Sequence, residues 1–221
     1  MTKALVLLSG GADSTICLYW ALAKYDHVEA LNISYGQKHS IEIKAARQIA
    51  KKAGVQLHEV HTDIFQQLGD SALVTSGDVN SKHRNGTLPA SFVPGRNILF
   101  LTIAGAFAYK RDLSILVTGT CQTDYSGYPD CRAEFINSIE RSLQLGLDYS
   151  LSIETPLMWY SKAESVRLAA ELEGCLDALA LSHTCYNGKR PPCGKCPACI
   201  LREKGFQNAG IVDPLSRRKG A

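Results

Sequence analysis

Short apolar runs alternate with stretches of helical periodicity along most of the chain. Lys3 to Leu8 reads as a buried strand, Ser14 to Tyr25 as a helix and Val28 to Ser34 as a second strand. Ile41 to Ala53 carries apolar residues at helical spacing, with Ile43, Ala46, Ile49 and Ala50 on the inward face, and Gly54 supplies a helix stop. Gln56 to His61 is a third strand. Asn97 to Lys110 then reads as a helix, Ser114 to Thr118 as a strand, Arg132 to Leu145 as a helix and Ser152 to Glu154 as a short strand. Strands separated by helices in this way form a mostly parallel sheet covered on both faces. The pattern predicts an α/β fold, Rossmann-like and doubly wound, with its ligands beyond the carboxyl ends of the strands.

The segment from Asp63 to Gly95 breaks the rhythm. It is rich in Gly, Ser, Asn and Asp and too long for an ordinary connector, so it reads either as a lid or binding loop or as disorder. A chain of 221 residues with 45% hydrophobic content supports one full core and a small appendage. The expected division is an α/β unit over residues 1–180 and a small C-terminal region over 181–221. Composition narrows the partners. The formal net charge is only +3, and the one basic cluster, Arg217-Arg218-Lys219, reads as a solvated tail, so a nucleic-acid partner is not expected. The first apolar run is cut off at Ser9-Gly10-Gly11, and no segment reaches about 18 apolar residues, which predicts a soluble, cytoplasmic protein with no membrane partner.

Chemistry enters at Ser9-Gly10-Gly11-Ala12-Asp13-Ser14, between the first strand and the first helix. Two glycines let the backbone approach a ligand closely, and the N–H groups of a helix N-terminus with the Ser9 and Ser14 hydroxyls offer donors to phosphate oxygens. The string is neither a Walker A loop nor a G-x-G-x-x-G fingerprint. An aspartate among phosphate donors suits a magnesium ion that accompanies the phosphates. The plainer alternative is a glycine turn with a Ser or Asp helix cap. The string resembles the S-G-G-x-D-S signature of the PP-loop ATP pyrophosphatases. That likeness implies that the terminal phosphates of ATP lie against Leu8, Ser9, Gly10, Gly11, Ala12, Asp13, Ser14 and Thr15, with cleavage between the α- and β-phosphates. Lys38 and His39, near the end of the second strand, are further candidates to meet the nucleotide.

Four of the eight cysteines crowd into one short stretch, Cys185, Cys193, Cys196 and Cys199, in a C-x7-C-x2-C-x2-C spacing. With no secretory signal in view, that clustering favours a metal over disulfides. Four thiolates suit one tetrahedral, structural Zn²⁺, although free thiols or an iron–sulfur cluster would use the same ligands. Pro192, Gly194 and Pro197 supply tight turns, and Ala198 to Phe206 can continue as a helix. Cys17 and Cys175 read as core fillers. His58, His61, His83 and His183 show no metal spacing and read as structural or surface residues.

A third constellation, Gly119 to Arg132, follows a predicted sheet strand. Tyr125 and Tyr128 could stack on a flat heterocycle, Asp124 or Asp130 read its N–H edge, and Arg132 orient an acid; alternatively this is a surface loop whose Asp and Arg pair with each other. Ser161-Lys162-Ala163-Glu164 reads as a capping box, with Lys162 in the first turn of a helix. Together with Ser34 to His39, Pro94-Gly95-Arg96-Asn97 and Thr155-Pro156-Leu157, these motifs closely resemble, in order and over essentially the whole chain, the 7-cyano-7-deazaguanine synthase family of the queuosine pathway. The resemblance implies 7-carboxy-7-deazaguanine, ammonia and ATP as substrates, zinc on the four cysteines, Asp13, Lys162 and Arg96 as catalytic residues and a homodimer. Two other classes of function compete: a PP-loop enzyme of tRNA sulfur transfer using Cys121 and Cys131, and a zinc-knuckle regulatory protein.

Overall fold

Thirteen strands and α-helices follow one another among the residues that the computed structural model describes, 1–36, 41–68, 88–123 and 127–216. They are β1 (Lys3–Leu7), α1 (Ala12–Lys24), β2 (His27–Ser34), α2 (Ile41–Ala53), β3 (Gln56–His61), α3 (Ile64–Leu68), α4 (Arg96–Lys110), β4 (Ile115–Val117), α5 (Ala133–Leu147), β5 (Ser152–Glu154), α6 (Lys162–Glu171), α7 (Cys175–Leu179) and α8 (Pro197–Ala209). All five strands are parallel, in the order β3-β2-β1-β4-β5. Two chain directions diverge from β1, with β2 on one side and β4 on the other. A crevice therefore opens at the carboxyl ends of β1 and β4, the topological switch point where such sheets bind ligands.

Strand pleating divides the interior into two cores. Ala4, Val6 and Leu8 face one side and pack with Ile16 and Leu18 of α1, Ile49 of α2, Val166 of α6, Leu179 of α7 and Phe206 of α8. Leu5, Leu31 and Ile33 face the other and pack with Leu101 and Ala104 of α4 and Ile136 and Leu143 of α5. The expected double winding is present. Helix α2 spans the predicted residues, but its buried face is Ala45, Ala46, Ile49 and Ala50, and Ile43 is only half-buried. The stop at Gly54 has a physical basis in its φ of +69° and in the Val55 N–H donating to Ala50 O at 3.1 Å. Cys17 and Cys175 are fully buried fillers of the first core, and burial pushes the Cys175 thiol up to about 12. Among the described residues no helix is long and apolar enough to cross a membrane.

Candidate active site

A cavity of about 960 Å³ occupies the switch point. Its floor is the turn from Leu8 to Ala12. Gly10 has a φ of +90°, and a Cβ there would run into the carbonyl of Glu42 and sit 2.8 Å from the Ala46 nitrogen, so only glycine lets α2 come this close. Gly11 is the N-cap of α1 and no side chain caps the helix, which sets aside the plainer reading of a Ser- or Asp-capped turn. Instead the hydroxyls bond within the turn. Gly11 N–H donates to Ser9 Oγ at 3.2 Å, Ser9 Oγ and Ser14 Oγ are 3.0 Å apart, and Thr15 Oγ1 donates to Gly11 O at 2.7 Å. The first N–H groups of α1, which have no partner within a helix, are left for a ligand. Gly119, just after β4, closes over them: a Cβ there would lie 3.1 Å from the Ser14 nitrogen.

Lys162 reaches the same turn from the opposite wall. Its helix begins with the predicted capping box, in which Glu164 N–H donates to Ser161 Oγ at 3.3 Å and Ser161 N–H to Glu164 Oε2 at 2.7 Å. The Lys162 Nζ donates to both Asp13 carboxylate oxygens at 2.8 Å, with the lysine side chain 14% exposed. Gly205 of α8 lies against the lysine stem, and a Cβ on it would overlap Lys162 Cγ and approach its Cβ to 3.1 Å.

The far wall combines aromatic rings with two opposite charges. Tyr35, Phe100, Tyr128 and Tyr186 line it with Arg96 and Glu42. Arg96 stands in the first turn of α4, its guanidinium 6.0 Å from the Tyr35 ring centre. Burial opposes its charge, but Tyr35, Tyr186 and Asp130 more than offset this and hold it protonated. Burial also lifts the Glu42 carboxyl to about 7, with Arg96 pulling the other way. Asn32 and Thr120 also line the cavity, and Asn32 Oδ1 and Thr120 Oγ1 are buried with no hydrogen-bond partner among the described residues.

The sequence candidates do not all converge here. Leu8, Ser9, Gly11, Ala12, Asp13, Ser14, Arg96, Tyr128 and Lys162 line the cavity, whereas Gly10 and Thr15 support it from behind. Tyr128 is buried, with its hydroxyl 2.6 Å from Ser91 Oγ. Asp130 and Arg132 are not brought to the cavity. Asp130 Oδ2 accepts from the Asn97 N–H at 3.2 Å, because the open amides at the start of α4 attract a carboxylate, and Arg132 is the exposed N-cap of α5. Lys38, His39, Asp124 and Tyr125 lie outside the described residues. Sequence reasoning passed over Glu42, Asn32 and His183. The last, expected to be structural or on the surface, lines the cavity and donates its backbone N–H to Gly10 O at 2.8 Å. The signal for Glu42 was its place in the first helical turn after a strand's carboxyl end.

Beside the cavity the four sulfurs of Cys185, Cys193, Cys196 and Cys199 lie within 4.8 Å of one another. Tetrahedral coordination with metal–sulfur bonds of about 2.3 Å spaces ligand sulfurs just under about 4 Å, and Cys193 Sγ to Cys199 Sγ is 3.9 Å. The set fits a four-thiolate metal. Lys195 and Cys196 N–H groups donate to Cys193 Sγ at 3.4 and 3.3 Å. The Lys195 amide leads in drawing the Cys193 thiol down to about 6, which favours the thiolate a metal needs. Cys196 is the N-cap of α8 with Pro197 following, so the knuckle runs directly into the helix that carries Gly205.

A parallel sheet of this order, with a Ser–Gly cradle at the end of β1 faced by an Asp–Lys pair, defines a PP-loop-like α/β protein. The fold is shared with a 4-thiouridine synthetase solved as an RNA complex with bound ATP (TM-score 0.53, 20% identity, 99% of this chain and 52% of that one). It is shared too with a predicted tRNA methyltransferase subunit from Methanocaldococcus jannaschii (TM-score 0.52, 21% identity, 77% and 75% covered). Residues 3–210 match the family described as Queuosine biosynthesis protein QueC. The 7-cyano-7-deazaguanine synthase of Chromobacterium violaceum is 52% identical over 220 residues, 98% of this chain and 94% of that one, and that of Bacillus subtilis is 46% identical over 212 residues, 95% and 96%. This chain belongs to the 7-cyano-7-deazaguanine synthase family of queuosine biosynthesis.

Proposed function

We propose that the chain is an ATP-dependent carbon–nitrogen ligase that turns 7-carboxy-7-deazaguanine and ammonia into 7-cyano-7-deazaguanine, releasing AMP and pyrophosphate. The observation that carries this reading is the Ser9–Ser14 cradle facing the Lys162–Asp13 pair, in a chain about half identical to synthases of that name. A carboxylate resists attack because oxide is a prohibitive leaving group. Transfer of AMP to one carboxylate oxygen, with loss of pyrophosphate, makes that oxygen part of a good leaving group. Ammonia adds to the carbon, AMP departs and a proton is lost, which gives the amide. Adenylation of the amide oxygen by a second ATP releases a second pyrophosphate, and departure of AMP with loss of a proton from nitrogen then gives the nitrile.

One cradle serves both activations, because only one is built at the switch point of the described sheet. The α1 amides and the Ser9 and Ser14 hydroxyls hold phosphate oxygens, and Lys162 and Arg96 neutralise the charge that develops during transfer. Asp13 suits a magnesium ion, which would supply further charge compensation on the phosphates when bound. Lys38 and His39 extend the nucleotide contacts. Tyr128 walls the heterocycle. Asp130 contributes indirectly by holding the first turn of α4, which carries Arg96. Zinc is the metal that best suits four clustered thiolates, and a site closed by four protein ligands is structural.

Turnover of the acid with ammonia and ATP should yield two AMP per nitrile. The synthetic amide should need no ammonia and consume one ATP. ADP as the nucleotide product, or AMP release only with tRNA and a sulfur donor, would overturn the reading.

A further inference from the structure

We infer that Glu42 reads the guanine-like edge of the bound heterocycle, accepting hydrogen bonds from its ring N–H and its exocyclic amine. The inference rests on the proposed substrate class and adds the residue that selects it. Glu42 stands in the first turn of α2 with its backbone carbonyl against Gly10, so it borders the phosphate cradle and lines the same cavity. Among the described residues Asp13 and Glu42 are the two carboxylates on the cavity wall, and Asp13 belongs to the Ser9–Ser14 turn, where it pairs with Lys162. Glu42 has no side-chain hydrogen bond and no ion pair among the described residues. Arg96 acts on it only as a charge in the same wall, which Tyr35 and Tyr186 complete.

An enclosed carboxylate with both oxygens unused is costly, and its carboxyl is lifted accordingly. A guanine-type edge presents two parallel N–H donors at the spacing of two carboxylate oxygens. An adenine edge presents one donor beside a ring-nitrogen acceptor, which would face the second oxygen without a proton. Glu42 thus distinguishes the two purine-like ligands that must share one cavity, and keeps the base of ATP out of the heterocycle's place by repulsion as well as by attraction to the right edge. The carboxyl to be activated is on the other ring, so a grip on this edge leaves it free to face the cradle. The aromatic wall of Tyr35, Phe100 and Tyr186 suits the flat face of such a ligand.

The test is calorimetric binding of 7-carboxy-7-deazaguanine and of its 2-desamino analogue to the full-length protein, compared with steady-state AMP release. The unaltered protein should prefer the amino compound by about 10²-fold. In Glu42→Gln that preference should collapse to a few-fold, and the loss should appear as about a 10²-fold rise in Kd and KM rather than chiefly in kcat. Glu42→Asp, which keeps the charge on a shorter stem, should bind more weakly and retain the preference. A 2-desamino analogue that binds as well as the amino compound, a preference that survives in Glu42→Gln, or a fall confined to kcat would overturn the assignment. Failure of the unaltered protein to bind or turn over the acid would instead overturn the substrate reading itself.

Discussion

Adding one methyl group, Gly205→Ala, should disable Lys162 while leaving the protein folded. Gly205 lies inside α8 with a backbone conformation open to any residue, so its conversion to alanine gains about 1 kcal/mol of helix propensity. The new Cβ would overlap Lys162 Cγ and lie 3.1 Å from its Cβ and 3.4 Å from its backbone oxygen. Overpacking of this kind costs about 1–3 kcal/mol. The net change is therefore about 0–2 kcal/mol, a fall in Tm of at most about 8 °C for a chain of this size. Strain is relieved most cheaply by rotating the lysine stem, because moving α8 would disturb Phe206 in the core and the cysteine knuckle at the helix start. That rotation withdraws Nζ from its two 2.8 Å contacts with Asp13. Loss of one well-placed transition-state charge costs about 10² to 10³ in rate. Thermal unfolding and AMP release on the same preparation would measure both numbers. Activity within about threefold of the parent, or a collapse of stability with normal specific activity in the folded fraction, would refute the reasoning.

Two further outcomes are expected. Cys196→Ser should lower bound metal and Tm together, since structural metal binding is folding free energy; metal analysis with differential scanning fluorimetry checks it, and full stability with no bound metal in the parent would count against a structural site. Glu29, buried in β2, is opposed by desolvation but held by Arg111, His27 and His58, which together bring its carboxyl from 4.5 down to about 2. A folded value below the unfolded one contributes stability that is complete above about pH 4.5 and lost as pH falls toward 2, on the order of 3 kcal/mol at most. The acid limb of Tm against pH should therefore be shallower for Glu29→Gln than for the parent, and parallel limbs would refute the assignment.

Features written locally in the chain were legible before the structure. Strands β1, β2 and β4 announce themselves as apolar runs, the knuckle as closely spaced cysteines, and the capping box at Ser161 and the stop at Gly54 as short motifs whose hydrogen bonds form where the pattern puts them. The five-residue helices α3 and α7 are too short for periodicity to reveal. Convergence between distant segments was the harder part. Gly205 reads as a weak point in a helix until α6 is laid beside it, and Glu42 reads as an ordinary first-turn acid until Arg96 and Tyr186 arrive from elsewhere in the chain. Asp130 sits in a loop at the ligand edge of the sheet, yet the open amides of α4 compete for its carboxylate and turn it inward.

The bond from His183 N–H to Gly10 O bears on the order in which the molecule assembles. Gly10 and Asp13 leave the ribosome early, whereas their partners His183 and Lys162 follow about 150 or more residues later, so the Ser9–Ser14 turn gains these contacts only when the last third of the chain has folded back on the first. Closing a contact of that span is slow compared with forming β1 and α1. A nascent or truncated chain would carry the signature turn without its lysine or its knuckle. The cradle is thus a property of the assembled fold and not of its signature turn alone.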